Sequence, residues 1–178
     1  MLLERGKSLL LLVDVQERLV PAMAQAADVV ANCGILLRAA GELGVPVLAS
    51  EQYPKGLGTT VPALAPLAPR RLEKLEFSAY ENTTIKDELS RADRRQIVLA
   101  GIEAHVCVLQ TGLELIAAGF EVFVAADAVA SRRPESREVA LHRLGRAGAT
   151  LITAEMALFE WLRSASAPEF RSISKLIR

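Results

Sequence analysis

Short apolar runs spaced a helix-length apart constrain this chain more than any other feature. Ser8-Leu9-Leu10-Leu11-Leu12-Val13, Val45–Ala49, Gln96-Ile97-Val98-Leu99-Ala100, Glu121–Ala126 and Thr150–Thr153 are continuous rather than alternating, so each predicts a strand buried on both faces. Arg71-Leu72-Glu73-Lys74 reads as a brief further strand. Between the runs lie stretches with helical periodicity. One opens after Pro21 and spans about Ala22 to Leu43, with Val29, Val30, Cys33, Leu36 and Leu37 on its apolar face and Gly44 ending it. Others run from a Thr83 or Thr84 cap through Leu89, from Cys107 to Gly119, and from Pro134 to about Ala147, with a helical tail broken near Pro168. Alternating strands and helices predict an α/β fold with three layers, a parallel sheet covered on both faces.

At 178 residues, 51% of them apolar, the chain is long enough to bury a full core and reads as a single domain, 1–178. Lys and Arg balance Asp and Glu at 21 each, so no basic face announces a nucleic-acid partner. The first apolar run breaks at Asp14 with no small-residue cleavage site, and it is too short to span a bilayer. Two cysteines argue against a disulfide framework and suit a reducing cytoplasm.

The connector Gly101-Ile102-Glu103-Ala104-His105-Val106-Cys107 joins a strand to a helix, and it places Cys107 near the first turn at the carboxyl end of the sheet. Open α/β sheets bind ligands there. A helix N-terminus stabilises a thiolate, which makes Cys107 a candidate nucleophile with a lowered pKa, and its N–H groups suit an oxyanion. A small buried hydrophobe is the other reading. Asp14, closing the first strand, is either a helix cap or a proton acceptor that meets Cys107 if the first and fourth strands are neighbours. Lys74 ends the third strand; it is either an exposed lysine or an ammonium that favours the thiolate.

These segments together resemble the isochorismatase-like cysteine hydrolase superfamily. Val13-Asp14-Val15-Gln16, Lys74-Leu75-Glu76-Phe77-Ser78, Gly101 to Val108 and Ala126-Asp127-Ala128-Val129-Ala130-Ser131-Arg132 carry the resemblance, which covers nearly the whole chain. The run Glu51-Gln52-Tyr53-Pro54-Lys55-Gly56-Leu57-Gly58 is most similar to the branch named only as isochorismatase domain-containing proteins. The resemblance implies a six-stranded parallel sheet in Rossmann-like order 3-2-1-4-5-6 and an Asp14–Lys74–Cys107 catalytic triad. It also implies a cis peptide between Ile102 and Glu103, and an oxyanion hole formed by the Glu103 and Cys107 amides.

The chain departs from the nicotinamidases of that superfamily, which bind a metal through an Asp and several His after the second strand. Ser50-Glu51-Gln52-Tyr53-Pro54 stands there, and His105 and His142 are the only histidines, so no metal and no other cofactor is expected. Isochorismate hydrolases proper cleave a vinyl ether and several lack the cysteine; Cys107 instead fits attack on a carbonyl through an acyl-enzyme. The expected activity is therefore metal-independent hydrolysis of a small amide-like substrate. A catalytically silent binding module, a vinyl ether hydrolase and a redox-sensing thiol stand as alternatives.

Gln16, Tyr53, Phe77 and His105 are the pocket candidates. His142 is expected on the surface or in packing, Cys33 in the core, and Asp127 and Arg132 in fixing the loop after the fifth strand. The Pro- and Gly-rich stretch Ser50–Arg70 is expected to be a binding loop. Relatives in the superfamily are often homo-oligomers, which implies the same here.

Overall fold

The computed structural model describes residues 1–177. Six strands, β1 (Ser8–Val13), β2 (Val47–Gln52), β3 (Arg71–Lys74), β4 (Gln96–Ile102), β5 (Glu121–Ala130) and β6 (Thr150–Ile152), form one parallel sheet in the order β3-β2-β1-β4-β5-β6. Helices α1 (Ala26–Leu43), α2 (Pro54–Leu57), α3 (Thr83–Ala92), α4 (Leu109–Ala117), α5 (Pro134–Ala147), α6 (Ala154–Leu162) and α7 (Phe170–Ile173) follow in chain order. Every residue of β1 is buried, and its side chains divide by parity, as strand geometry requires. Leu10 and Leu12 pack with Cys33, Leu36 and Leu37 of α1 and Leu158 and Trp161 of α6. Leu9, Leu11 and Val13 face the opposite layer, with Ile85 and Leu89 of α3, Leu109 and Leu115 of α4 and Leu144 of α5. The predicted α/β/α layering and strand order are both observed.

The crossover at the middle of the sheet fixes the site. Val13 ends β1 opposite Ser50 of β2 on one side and Gly101 of β4 on the other. Gly101 sits at φ +123, and a Cβ there would lie 2.0 Å from the Val13 carbonyl oxygen. Only glycine lets the two backbones approach so closely. One register step along, Gln52 of β2 lies opposite Lys74 of β3. The carboxyl ends of β1, β2, β3 and β4 thus bring residues 14, 50, 74 and the segment after 102 together.

Element boundaries differ from the sequence expectations at several ends. β2 starts at Val47 and continues through Ser50, Glu51 and Gln52, which the sequence assigns to a loop. The following stretch is ordered by α2, a 3₁₀ turn at Ala65–Leu67 and an antiparallel bridge between Gln16 and Thr60. α1 begins at Ala26, because a 3₁₀ turn at Val20–Ala22 and Gln25 at φ 55 precede it. Asn82 rather than a threonine caps α3, accepting from the Ile85 N–H at 3.2 Å. β5 runs on to Ala130, with a register shift that pairs Gly101 with Val129. The tail is shorter in helix than expected, with α6 ending at Leu162 and, among the described residues, only α7 beyond Pro168.

Candidate active site

Asp14 leaves β1 in the left-handed region at φ 52, which Asp tolerates better than most residues. Its backbone is held by an N–H donated to the Ser50 carbonyl at 3.1 Å and a carbonyl accepting from Gln16 at 2.9 Å. That turn points the carboxylate across the ends of β2 and β3. Asp14 Oδ2 accepts from Lys74 Nζ at 2.7 Å, and Asp14 Oδ1 accepts from Ser50 Oγ at 2.7 Å. Both ion-pair side chains are wholly buried.

Lys74 Nζ also donates to Gln52 Oε1 at 2.6 Å and lies 3.1 and 3.2 Å from the Glu76 and Phe77 carbonyls. A buried ammonium persists only when paired and hydrogen-bonded, and these acceptors meet that condition. The loop supplying the two carbonyls is tied to α4: Thr111 Oγ1 accepts from the Ala79 N–H at 2.8 Å, and Ser78 Oγ donates to Glu114.

Cys107 lies in a single π-helical turn, Ala104–Val108, that runs directly into α4. The Val106 and Val108 N–H groups donate to the Glu103 carbonyl at 3.1 and 3.2 Å. The Glu103 N–H is engaged with no turn or loop backbone acceptor among the described residues. The Ile102–Glu103 peptide is cis.

Cys107 is 7% exposed, whereas Cys33 is fully enclosed beneath α1 with Sγ 3.4 Å from the Ala128 carbonyl. The lowered thiol pKa expected from a helix N-terminus is not what this environment produces. Burial first, and then the negative Asp14, push the Cys107 thiol up to about 12, with Lys74 pulling the other way. Burial and then Asp127 raise Cys33 to about 12 as well. Cys107 differs from Cys33 in being acted on by both a carboxylate and an ammonium, whereas Cys33 is acted on by Asp127 alone.

The structure joins Asp14 and Lys74 in an ion pair whose two charges both act on Cys107, and it separates the pocket candidates. Gln16 is turned away from open space. Its Nε2 donates to the Gln52 and Gly58 carbonyls at 2.9 and 2.7 Å, and its Oε1 accepts from the Gln52 N–H at 2.7 Å, so it braces β2 and the following loop. Tyr53 is 51% exposed and lines a cleft of about 360 Å³ with Lys74, Leu75 and Glu76. Phe77, 56% exposed, stands on the same Lys74 loop. His105 is half-buried, 2.9 Å from Ser131 Oγ through Nδ1, and borders a second cleft of about 370 Å³ with Leu109, Val139 and Arg143. Cys107 is in the lining of neither cleft.

His142 is exposed on α5. Asp127 Oδ1 accepts from the Ala154 N–H at 2.8 Å at the start of α6, and Arg132 Nε donates to Glu103 Oε2 at 2.9 Å. Among the described residues no three His, Cys, Asp or Glu side chains gather as a metal site would require. Among the same residues no helix is long and apolar enough to cross a membrane.

Ser50 and Gln52 are the contacts that the sequence did not reveal. Both project from β2 two residues apart, hence on one face, and one holds each member of the ion pair. Their signal is a polar i, i+2 pair at the carboxyl end of an apolar strand. It is hidden once the strand is ended at Ala49.

Comparisons with known proteins agree with the fold. A family model described as Isochorismatase domain matches residues 8–156. Isochorismatase domain-containing protein 2 of Danio rerio is 40% identical over 170 residues, covering 96% of this chain and 86% of the relative. The structure of the MAR1 ribonuclease from Caenorhabditis elegans superposes with a TM-score of 0.94 at 34% identity, covering 99% of this chain and 92% of that one. The YcaC gene product of Escherichia coli, described as an octameric hydrolase of unknown specificity, shares the fold with a TM-score of 0.94 at 24% identity over 99% of this chain and 89% of its own. The chain belongs to the isochorismatase family and has that family's hydrolase fold.

Proposed function

We propose that the chain is a metal-independent cysteine hydrolase that cleaves a small amide or related C–N bond, working as a single domain on a small-molecule substrate. The observation that carries this reading is the wholly buried Asp14–Lys74 ion pair beside the only partly accessible cysteine. A raised thiol pKa means that the resting sulfur keeps its proton, so the nucleophile has to be generated inside the site. Moving that proton from Cys107 to Asp14 leaves the thiolate beside the Lys74 ammonium and keeps the net charge of the three groups unchanged. Such a transfer avoids the cost of creating a new buried charge.

The thiolate then adds to the substrate carbonyl carbon, and the amides of Glu103 and Cys107 stabilise the oxyanion. Collapse breaks the C–N bond as Asp14 returns its proton to the departing nitrogen, which leaves a thioester. Water, giving its proton to Asp14, resolves the thioester and frees the acid. The proton on Asp14 passes back to the sulfur and restores the starting state. Tyr53, Phe77 and His105 recognise the substrate from the rim. The fold shared with an octameric protein supports assembly into a homo-oligomer.

A second reading, cleavage of RNA, is favoured by the description of the Caenorhabditis relative. Exposed Glu73 and the carboxylate of Glu76 near the site weigh against a polyanion, as does a formal net charge of zero. A panel of primary amides, carbamoyl compounds, hydroxamates and a short RNA tests both. The expected result is turnover of a small C–N substrate that falls at least about 10³-fold in Cys107→Ala. RNA cleavage unaffected by Cys107→Ala, with no small substrate turned over, overturns the proposal.

A further inference from the structure

The carboxylate that receives the thiol proton has two oxygens, and each is already engaged. Oδ2 faces the Lys74 ammonium at 2.7 Å. Oδ1 accepts from Ser50 Oγ at 2.7 Å, a contact buried from solvent on both sides. We infer that the Ser50 hydroxyl is a positioning group that sets the proton affinity of Asp14 and thereby decides how readily Cys107 is ionised. This inference rests on the triad reading above.

A hydroxyl that donates to a carboxylate stabilises its ionised form and weakens it as a base. Lys74 must stay on the carboxylate, because its other neighbours are neutral acceptors: Gln52 Oε1 and the carbonyls of Glu76 and Phe77. Ser50 is under no such compulsion. Val13 and Ser50 are register partners, and the Asp14 N–H donates to the Ser50 carbonyl, so the serine backbone stays in place whatever its side chain does. The hydroxyl therefore acts on Asp14 separately from the strand pairing that carries it. It holds the acceptor in one orientation while restraining its basicity, so that Asp14 takes up the thiol proton without keeping it.

Removing that hydroxyl makes Asp14 more basic and shifts the internal equilibrium toward thiolate with protonated carboxyl. Iodoacetamide reads this without any knowledge of the substrate. The sulfur attacks the CH₂ carbon, the C–I bond breaks, iodide leaves, and the thiol proton stays on Asp14. Carboxamidomethylation of Cys107 is followed by peptide mass spectrometry between pH 4 and 10 in the full chain. In Ser50→Ala the rate at pH 7 is expected to rise about tenfold, and the acid limb of the profile to move up by about one pH unit, the worth of one hydrogen bond to a charge.

Ser50→Thr, which keeps the hydroxyl, restores the wild-type profile. Ser8→Ala removes an equally buried hydroxyl at the far end of β1 and leaves the profile unchanged. A Ser50→Ala profile that overlays the wild type overturns the inference. So does one that merely slows with its acid limb unmoved, because loosened packing would do the same. Wild-type Cys107 reacting no faster than Cys33 removes the triad reading itself, an outcome distinct from either.

Discussion

Lys74 and Asp14 are both wholly buried, and neither has water to fall back on. Their mutual attraction and hydrogen bonds have to offset the desolvation of two charges, so the pair adds little net stability while being costly to break. Lys74→Met leaves the Asp14 carboxylate alone in the interior and is expected to destabilise the fold by about 3–5 kcal/mol. The double variant Asp14→Asn with Lys74→Met is expected to recover most of that loss, because no charge is stranded. Urea denaturation of the wild type, both single variants and the double variant measures the coupling. Strictly additive losses would mean that the two side chains do not act as a unit.

At the scale of elements, the site is made by strand ends, and Gly101 is where the tolerance is smallest. Gly101→Ala places a Cβ against the Val13 backbone and forces an L residue to φ +123. A loss of about 3 kcal/mol or more is expected, measured as a shift in the denaturation midpoint, with β1 and β4 driven apart beneath Asp14 and Cys107. Gly112→Ala on α4 meets only leucine side chains and is expected to cost less.

The strands were legible because β1, β4 and the first part of β5 are apolar after a polar first residue (Ser8, Gln96 and Glu121), and no helix or loop explains such runs. The end of β2 was not. Ser50, Glu51 and Gln52 look like loop residues until their partners are known, namely Asp14, Thr60 and Lys74, and none of these is near in sequence. Polar groups satisfied by distant partners leave no local pattern to read. The π-helical turn at Ala104–Val108 was missed for a similar reason: its composition does not separate it from the first turn of an α-helix.

For the whole molecule, strand order is what brings residues scattered along the chain to one edge of the sheet. Asp14 and Lys74 are 60 positions apart and come within 2.7 Å only because β1, β2 and β3 lie side by side. Residue types at strand ends made Asp14, Lys74 and Cys107 legible as candidates, and the family resemblance joined them. Charge state was harder to foresee, since the helix-terminus argument points to a stabilised thiolate and ignores both the burial of the sulfur and the negative carboxylate next to it.

In the proposed mechanism these three groups share one proton. This is tested most directly by carboxamidomethylation rates of Cys107 and Cys33, resolved by mass spectrometry from pH 5 to 10 in the wild type and in Asp14→Asn. Two isolated thiols raised to about 12 would each react tenfold faster per pH unit across that range. With a shared proton, Cys107 is expected instead to react far faster than Cys33, on a plateau around neutrality that Asp14→Asn abolishes. Parallel tenfold-per-unit slopes at both cysteines, unchanged by Asp14→Asn, would contradict it.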